Sequence, residues 1–526
     1  QRALFHNLDN VTLFPLGSSV DVNDQGKEYG VTVRISNAFL RFKMPDYPFH
    51  LYSNASLVIK DGDAQQRFVG GSGFFGAPRR SESRDIDWTT QIYTIGVNSH
   101  INIIEADLSH TEKRFDPNDD EVLYFAYSAS GGRPAGTYPH NRAPETKGSI
   151  NTLKLHTTYT GALVASATFS ENKRENELTN GIGGAKADYL LGEGDMTWMP
   201  WTRLTFFLKY RHIERDFDNP DSVTITSTDS LNPNSYTSSN IKNSISSITD
   251  TASLTGRYRP FSGLTLRASY SYKDRRRSNA DEWGLPDDTK TQTLCLGADT
   301  RPHRSLKLKL DYTHKETDDP AYNIEPDQSD EGKASLSWKP AAQLNALVSY
   351  SIGQDKRKDV HYGTTTLDNR DADRDTFFSS IALLPLKDLS FTLSYAYMHN
   401  RVKQDLNFGT DNANGVPYEE YAHNVACNLL YLFNDKLDLN GGISYTRSRG
   451  KFYPTAPFLE PAQSLSELEL REAVYSVGGH YEFWRGFGFG VDYRYSDFDD
   501  VIDTPYDGIE DGTSHIVWAT LSKRWG

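Results

Sequence analysis

The sequence predicts an all-β fold: a large transmembrane antiparallel β-barrel of about 22 strands (range roughly 20–26), with short periplasmic turns and long extracellular loops. Three observations predict it. A period-two pattern recurs and ends in tyrosine, connections alternate between short and long, and the composition favours Tyr, Gly, Ser, Thr and Asn over aliphatic residues.

Composition sets the class. The chain has 526 residues, of which 37 % are hydrophobic and 12 % aromatic, with 30 Tyr. A soluble core of that size uses more Leu, Ile and Val, whereas a barrel needs an apolar residue only at alternate positions. No stretch approaches the roughly 18 apolar residues of a spanning helix, which excludes a helical membrane protein. A net charge of −14 argues against nucleic-acid binding. Gln1 with no visible signal sequence reads as the start of a mature, exported product.

The elements follow in order. Residues 1–27 form an N-terminal segment, with a first strand expected near 8–20 (VTLFPLGSSV) because closure requires an even count. Residues 28–526 form the barrel, with about twenty-one further strands. Short turns are expected near 45–48, 98–100, 160–162, 199–203, 260–263, 301–305, 339–343, 385–388, 433–436 and 484–486. Between them lie longer polar segments, notably 116–146 and 216–246. The last strand, GTSHIVWATLSKRW, places Val517, Ala519, Leu521 and Trp525 on one face and is expected to close the sheet.

The repeat carries the strand assignment. Its five copies are PWTRLTFFLKY (200–210), PFSGLTLRASY (260–270), PHRSLKLKLDY (302–312), PAAQLNALVSY (340–350) and PLKDLSFTLSY (385–395). In each, Leu follows Pro by four residues and Tyr follows it by ten. LVASATF (163–169) and FGFGVDY (487–493) keep the pattern without the Pro. Pro cannot donate to a ladder, so it is expected in the turn before the strand. In the second copy Leu264, Leu266, Ala268, Tyr270 and Tyr272 share one face, and Thr265, Arg267, Ser269, Ser271 and Lys273 share the other. A strand tilted by about 40° needs about ten residues to cross the apolar band. The terminal tyrosines then form one aromatic girdle, and Trp198, Trp201, Trp338, Trp484 and Trp525, near short turns or the C-terminus, form the other.

A barrel of this size poses a problem. Twenty-two strands give a backbone diameter near ~45 Å and a lumen of roughly 30 Å, which left open would abolish the membrane's barrier. The segment before residue 28 is expected to be too short for a plug domain, and loops near thirty residues are expected to constrict rather than seal. A separate protein inside the lumen is therefore expected, against interior positions carrying Arg, Lys, Asp, Ser, Thr and Asn.

The stretches YPHNRAPETKGSINTLKLHTTYTGALVASATFSENKREN (138–176) and ADYLLGEGDMTWMPWTRLTFFLKYRH (187–212) resemble the MtrB/PioB family of outer-membrane barrels that sheath multihaem cytochromes. Pro139-His140-Asn141 and Trp198-Met199-Pro200 carry the match, and the resemblance extends over about 28–526. The chain is shorter than the larger members and lacks the N-terminal CxxC seen in some of them. The resemblance implies a multi-pass barrel of the bacterial outer membrane that surrounds a multihaem c-type cytochrome, supports electron transfer to extracellular acceptors, and adjoins an outer-surface cytochrome. Haem is then expected in the partner and none bound covalently by this chain. The alternative is a large porin or transport barrel for a bulky solute, plugged by loops or a partner.

No residue is assigned a catalytic, cofactor-binding or metal role, and the chain is not expected to be an enzyme. Cys295 and Cys427 stand outside any CxxC or CxxCH pattern, and alternation places them on opposite faces, so no disulfide is expected. The 14 His form no HExxH. His212 and His399 follow the tyrosine girdle on outward positions, where headgroup contact is favoured over metal ligation. The acidic stretches 497–512 and 325–331 lack calcium-loop spacing and read as solvated. No nucleophile elbow is visible.

Overall fold

A computed structural model describes residues 2–6, 20–22, 28–43, 45, 47–69, 79–118, 121–129, 132–140, 143–157, 161–177, 184–227, 235–238, 241–322, 325–358, 360–362, 365–367, 370–408, 411–460, 463, 467–484, 486–502 and 511–523. Two compact units divide the chain. One comprises 1–200, 206–254 and 273–289, the other 201–205, 255–272 and 290–526.

The first part of the chain runs β1 (Arg2–His6), β2 (Val20–Val22), β3 (Glu28–Lys43), β4 (Phe49–Val69), β5 (Arg79–Ile101), β6 (Ile104–Asp116), β7 (Leu123–Tyr127), β8 (Gly136–His140), β9 (Thr146–Thr157), β10 (Leu163–Asn176) and β11 (Lys186–Trp201). The next stretch contains β12 (Leu204–Asp218), β13 (Val223–Thr226), β14 (Ser235–Ser238), β15 (Ser247–Phe261) and β16 (Leu264–Arg277). There follow β17 (Asp288–His303), β18 (Leu306–Asp318), β19 (Gln328–Ala341), β20 (Leu344–Arg357), β21 (Val360–Tyr362), β22 (Thr365–Leu367) and β23 (Arg370–Leu386). The chain ends with β24 (Leu389–Phe408), β25 (Asp411–Asn434), β26 (Leu437–Phe452), β27 (Leu468–Trp484), β28 (Phe487–Asp500) and β29 (Gly512–Lys523).

In the first unit β3, β4, β5, β6, β9, β10 and β11 pair in succession, all antiparallel. In the second, β17 to β20 and β23 to β29 do the same. The short strands β7–β8, β13–β14 and β21–β22 form separate hairpins within long connections. From Glu28 onward the described residues hold 21 strands of twelve or more residues, as the alternation requires. The strand expected near 8–20 falls almost wholly outside the described residues. Instead the five residues of β1 pair antiparallel with β3, while Val20–Val22 runs parallel to Arg79–Ser81.

Three details differ from the sequence reading. The turn expected at 98–100 lies at 102–103, because His100 still pairs with Glu105 and Asn102 takes the left-handed conformation (φ 57°) that a two-residue hairpin needs. Between the short turns at 385–388 and 433–436, where a longer polar segment was expected, strands of 20 and 24 residues extend the hairpin itself. The repeat prolines do not sit in turns. Pro200, Pro260, Pro302, Pro340 and Pro385 are each the penultimate residue of a strand, and the turn residues come after.

The reason is visible in the ladder. At Pro302, Pro340 and Pro385 the register breaks between Thr300 and His303, Trp338 and Ala341, and Leu383 and Leu386, so the residue lacking an N–H occupies a bulge. The residue just before each proline donates its N–H to the carbonyl that ends a neighbouring turn: Met199 to Ala162 (2.8 Å), Arg259 to Arg203 (2.8 Å), Arg301 to Gly263 (2.7 Å), Lys339 to Ser305 (2.7 Å) and Leu384 to Gln343 (2.8 Å). The five repeat leucines, Leu204, Leu264, Leu306, Leu344 and Leu389, each open the following strand. The motif is thus a hairpin-rim device that links adjacent turns.

Candidate functional site

Alternation gives each strand two faces of opposite chemistry. On β18 to β20 the apolar face exposes Leu310, Leu336, Val348 and Tyr350. In the first unit Tyr93, Ile95 and Leu108 are likewise exposed. Large apolar side chains left open on a monomer in this number mark a surface covered by something apolar.

Two aromatic rows bound that face. At the short-turn end, Trp198 stacks on Phe206 with ring centroids 5.7 Å apart, and Trp484 lies parallel to Phe487 at the same separation. Trp201 and Trp338 are exposed; Trp525 lies outside the described residues. At the other end, the tyrosine of each repeat copy reaches a hydrogen-bond partner on the next strand of the sheet. The hydroxyls of Tyr210, Tyr312 and Tyr350 donate to Asp250 (2.6 Å), Asp330 (2.6 Å) and Asp375 (2.7 Å). Tyr270 donates to Gln292 (2.9 Å), while Tyr395 and Tyr493 bond the His423 and His515 rings (2.9 and 2.8 Å).

The register explains this regularity. Tyr312 pairs with Gly332, Tyr350 with Phe377, Tyr395 with Val425 and Tyr493 with Val517, and in each case the hydrogen-bond partner is the adjacent strand's residue two positions earlier. Such diagonal neighbours lie within reach of a long aromatic side chain. Sequence alternation located the tyrosines; their hydrogen-bond partners depend on strand register and were not legible. His212 shares Asp250 at 2.8 Å, and His399 lies 3.7 Å from Asp375. Both residues therefore belong to the polar edge of the tyrosine row.

The opposite face is polar along its length. In the first unit Thr94 bonds Thr111 (2.9 Å), Thr152 bonds Ser170 (3.1 Å), Ser166 donates to Asp195 (2.6 Å), and Glu193 pairs with Lys209 (2.6 Å). The Tyr52 ring crosses Gly96 and donates its hydroxyl to Asp107 at 2.9 Å, so a side chain at Gly96 would occupy the ring's place. In the second unit Asp311 accepts from Arg267 and from Lys309 (2.8 Å), with Gly297 leaving the space that Arg267 crosses. Ser335 bonds Ser349 (3.1 Å), and Asn424 donates to Ser444 and Thr446 (3.0 and 2.8 Å). A wall of hydroxyls, amides and half-exposed ion pairs is suited to water or to a hydrated protein surface.

The residues weighed for other chemistry are accounted for. Among the described residues no three His, Cys, Asp or Glu side chains are placed to hold a metal ion. Cys295 and Cys427 are free thiols. In the stretch 325–331, Asp327 pairs with Arg357 (2.7 Å) and Asp330 serves Tyr312, so these carboxylates have partners within the chain. Residues 503–510 of the other acidic stretch lie outside the described residues. Pro139 and His140 belong to the β7–β8 hairpin, where Arg133 packs over the rings of Tyr127 (4.6 Å) and Tyr138 (5.0 Å). Burial holds the His140 imidazole below its ordinary pKa, and its Nε2 lies 2.6 Å from the Tyr127 hydroxyl. Asn141 lies outside the described residues.

Strands with one apolar face bounded by aromatic rows and one hydrated face define a multi-pass β-barrel of the outer membrane. The chain belongs to the MtrB/PioB family, whose model, described as "Putative outer membrane beta-barrel porin, MtrB/PioB", matches residues 86–517. No curated protein sequence matches it. Among solved structures, the FrpB iron transporter of Neisseria meningitidis (F3-3 variant) aligns with a TM-score of 0.52 at 10 % identity, covering 99 % of this chain and 86 % of that one. The siderophore receptor PiuA of Acinetobacter baumannii aligns with a TM-score of 0.52 at 10 % identity, over 90 % and 75 % of the two chains. The outer membrane transporter YddB of Escherichia coli aligns at 0.53 and 9 % identity, over 95 % and 76 %. Identities this low show a shared fold: these too are outer-membrane barrels.

Proposed function

We propose that this barrel sheathes a multihaem c-type cytochrome and so supports electron transfer across the outer membrane to extracellular acceptors, in contact with an outer-surface cytochrome. The observation that carries the reading is the polar strand face found in each unit, set back to back with an apolar face on the same strands. Membership of the MtrB/PioB family supports it. In this reading the apolar face meets lipid, the polar face meets the cytochrome, and the chain itself performs no chemistry. Its work is to hold a redox protein across the bilayer and keep haem edges away from lipid.

The similarity to structures named as an iron transporter and a siderophore receptor favours a second reading, a transport barrel for a bulky solute plugged by loops or a partner. An absorption spectrum separates the two. The full-length chain, tagged and extracted gently from its native membrane, is expected to carry a Soret band corresponding to several haems per barrel. A colourless, intact and monodisperse barrel overturns the cytochrome reading and leaves the transport one.

A further inference from the structure

The polar face is not uniform in charge. On β15 to β19, between the short turns and the tyrosine row, it carries eight cations and three carboxylates, although the whole chain has a net charge of −14. Arg267 and Lys309 share Asp311, and Lys307 lies 3.8 Å from Asp299. The third carboxylate is Glu331. The other five cations, Arg257, Arg259, Arg301, Lys333 and Lys339, are exposed, and among the described residues none has a carboxylate within ion-pair distance. Three of them, Arg259, Arg301 and Lys339, stand immediately before a repeat proline, so the motif that links the turns also sets cations along the short-turn end.

Further along the same unit the sign reverses. On β25 to β28 the polar face carries Asp438, Glu482 and Asp492 over the same span, and Glu420, Glu472 and Asp500 beyond the tyrosine row, against Arg494 among the described residues. Asp438 and Asp492 both flank His480, at 3.1 and 3.5 Å. A wall that only needed wetting would have no use for this segregation, since interspersed charges hydrate equally well and repel each other less. A polyanion such as a nucleic acid would be repelled by β25 to β28. Complementarity of both stretches calls for an occupant that is itself charged asymmetrically.

We infer that β15 to β19 form a docking face for an acidic surface patch on a folded protein held against the polar face, located toward the short-turn, periplasmic end. The acidic stretch on β25 to β28 opposes the reversed orientation, so the two stretches together select one rotational setting of the occupant. This rests on the proposed function in requiring a protein occupant, and it adds the chemistry by which that occupant is recognised and oriented.

Zero-length carbodiimide coupling of the native complex, which joins amines to carboxylates in direct contact, tests it. Lys307, Lys333 and Lys339 are expected to couple to Asp or Glu of the occupant. Links that form elsewhere on the polar face but spare these three lysines overturn the inference. As a second measurement, Arg257, Arg259, Arg301, Lys333 and Lys339 are all replaced by Gln, and in a separate variant by Glu. With equal barrel in the outer membrane, the occupant-to-barrel ratio is expected to fall severalfold for the Gln variant and at least tenfold for the Glu variant. Full retention by the Glu variant overturns the docking face while leaving a protein-filled barrel intact. A wild-type barrel with no protein occupant overturns both readings. Should either variant fail to assemble, salt dependence decides: the wild-type complex is expected to dissociate as ionic strength rises, and indifference to salt refutes a charge-selected dock.

Discussion

Replacing Leu310 by Arg tests which strand face meets lipid. Leu310 is 46 % exposed and sits on β18 between the Leu306–Trp338 pair at the turn end and Tyr312 in the tyrosine row. It is therefore near the middle of the apolar band. An arginine on the lipid face of a barrel at mid-depth costs about 2–4 kcal/mol, falling to about 0–1 kcal/mol near the interface. At roughly 1.4 kcal/mol per tenfold, the mid-depth cost is a loss of about 30- to 700-fold in the folding equilibrium. Two controls define the geometry. Ser335→Arg introduces the same cation on the polar face of β19, where its neighbours are Lys309 and Ser349, and is expected to cost under about 1 kcal/mol as a surface substitution. Tyr312→Arg keeps the apolar face but moves to the row beside Asp330, and is expected to cost about 0–1 kcal/mol beyond the lost hydrogen bond. The assay is denaturant unfolding of the barrel in phospholipid vesicles, followed by tryptophan fluorescence and by heat-modifiable gel migration. Equal costs for Leu310→Arg and Ser335→Arg would refute the assignment of faces, and a larger cost for Tyr312→Arg than for Leu310→Arg would refute the placement of the tyrosine row at an interface.

Two further predictions concern local geometry. Gly96→Val should destabilise the barrel by about 1–3 kcal/mol, because a Cβ there displaces the Tyr52 ring that lies across it; combining it with Tyr52→Ala should recover much of that loss, and a strictly additive double-mutant cycle measured by unfolding would contradict the contact. At the turn, Asn102→Val should cost about 1–2 kcal/mol from the left-handed backbone (φ 57°) while Asn102→Gly stays within a few tenths, and equal stability of the two in the same unfolding assay would show that the turn does not use that conformation.

The sequence by itself determined the class of fold. Period-two alternation is a local property, so LKLKLDY discloses a strand with one apolar and one polar face without knowledge of any neighbour. The same holds for the strand count from Glu28 onward and for the placement of tryptophans near turns and tyrosines at the far ends. Local reading failed where a residue's role is set across the ladder. Proline was placed in the turn because it lacks an N–H, yet the structure uses that lack one step earlier, at Pro302, Pro340 and Pro385 in a bulge where the ladder has no bond to lose. NSH at 98–100 reads as a turn by composition, but His100 is held in the strand by its pairing with Glu105. The hydrogen-bond partners of the tyrosine row and the Arg267–Asp311 pair were also invisible. They join residues tens of positions apart, and only the register between strands brings them together. Segregation of charge between β15–β19 and β25–β28 is of the same kind: each residue's face follows from alternation, but the stripe exists only once neighbouring strands are laid side by side.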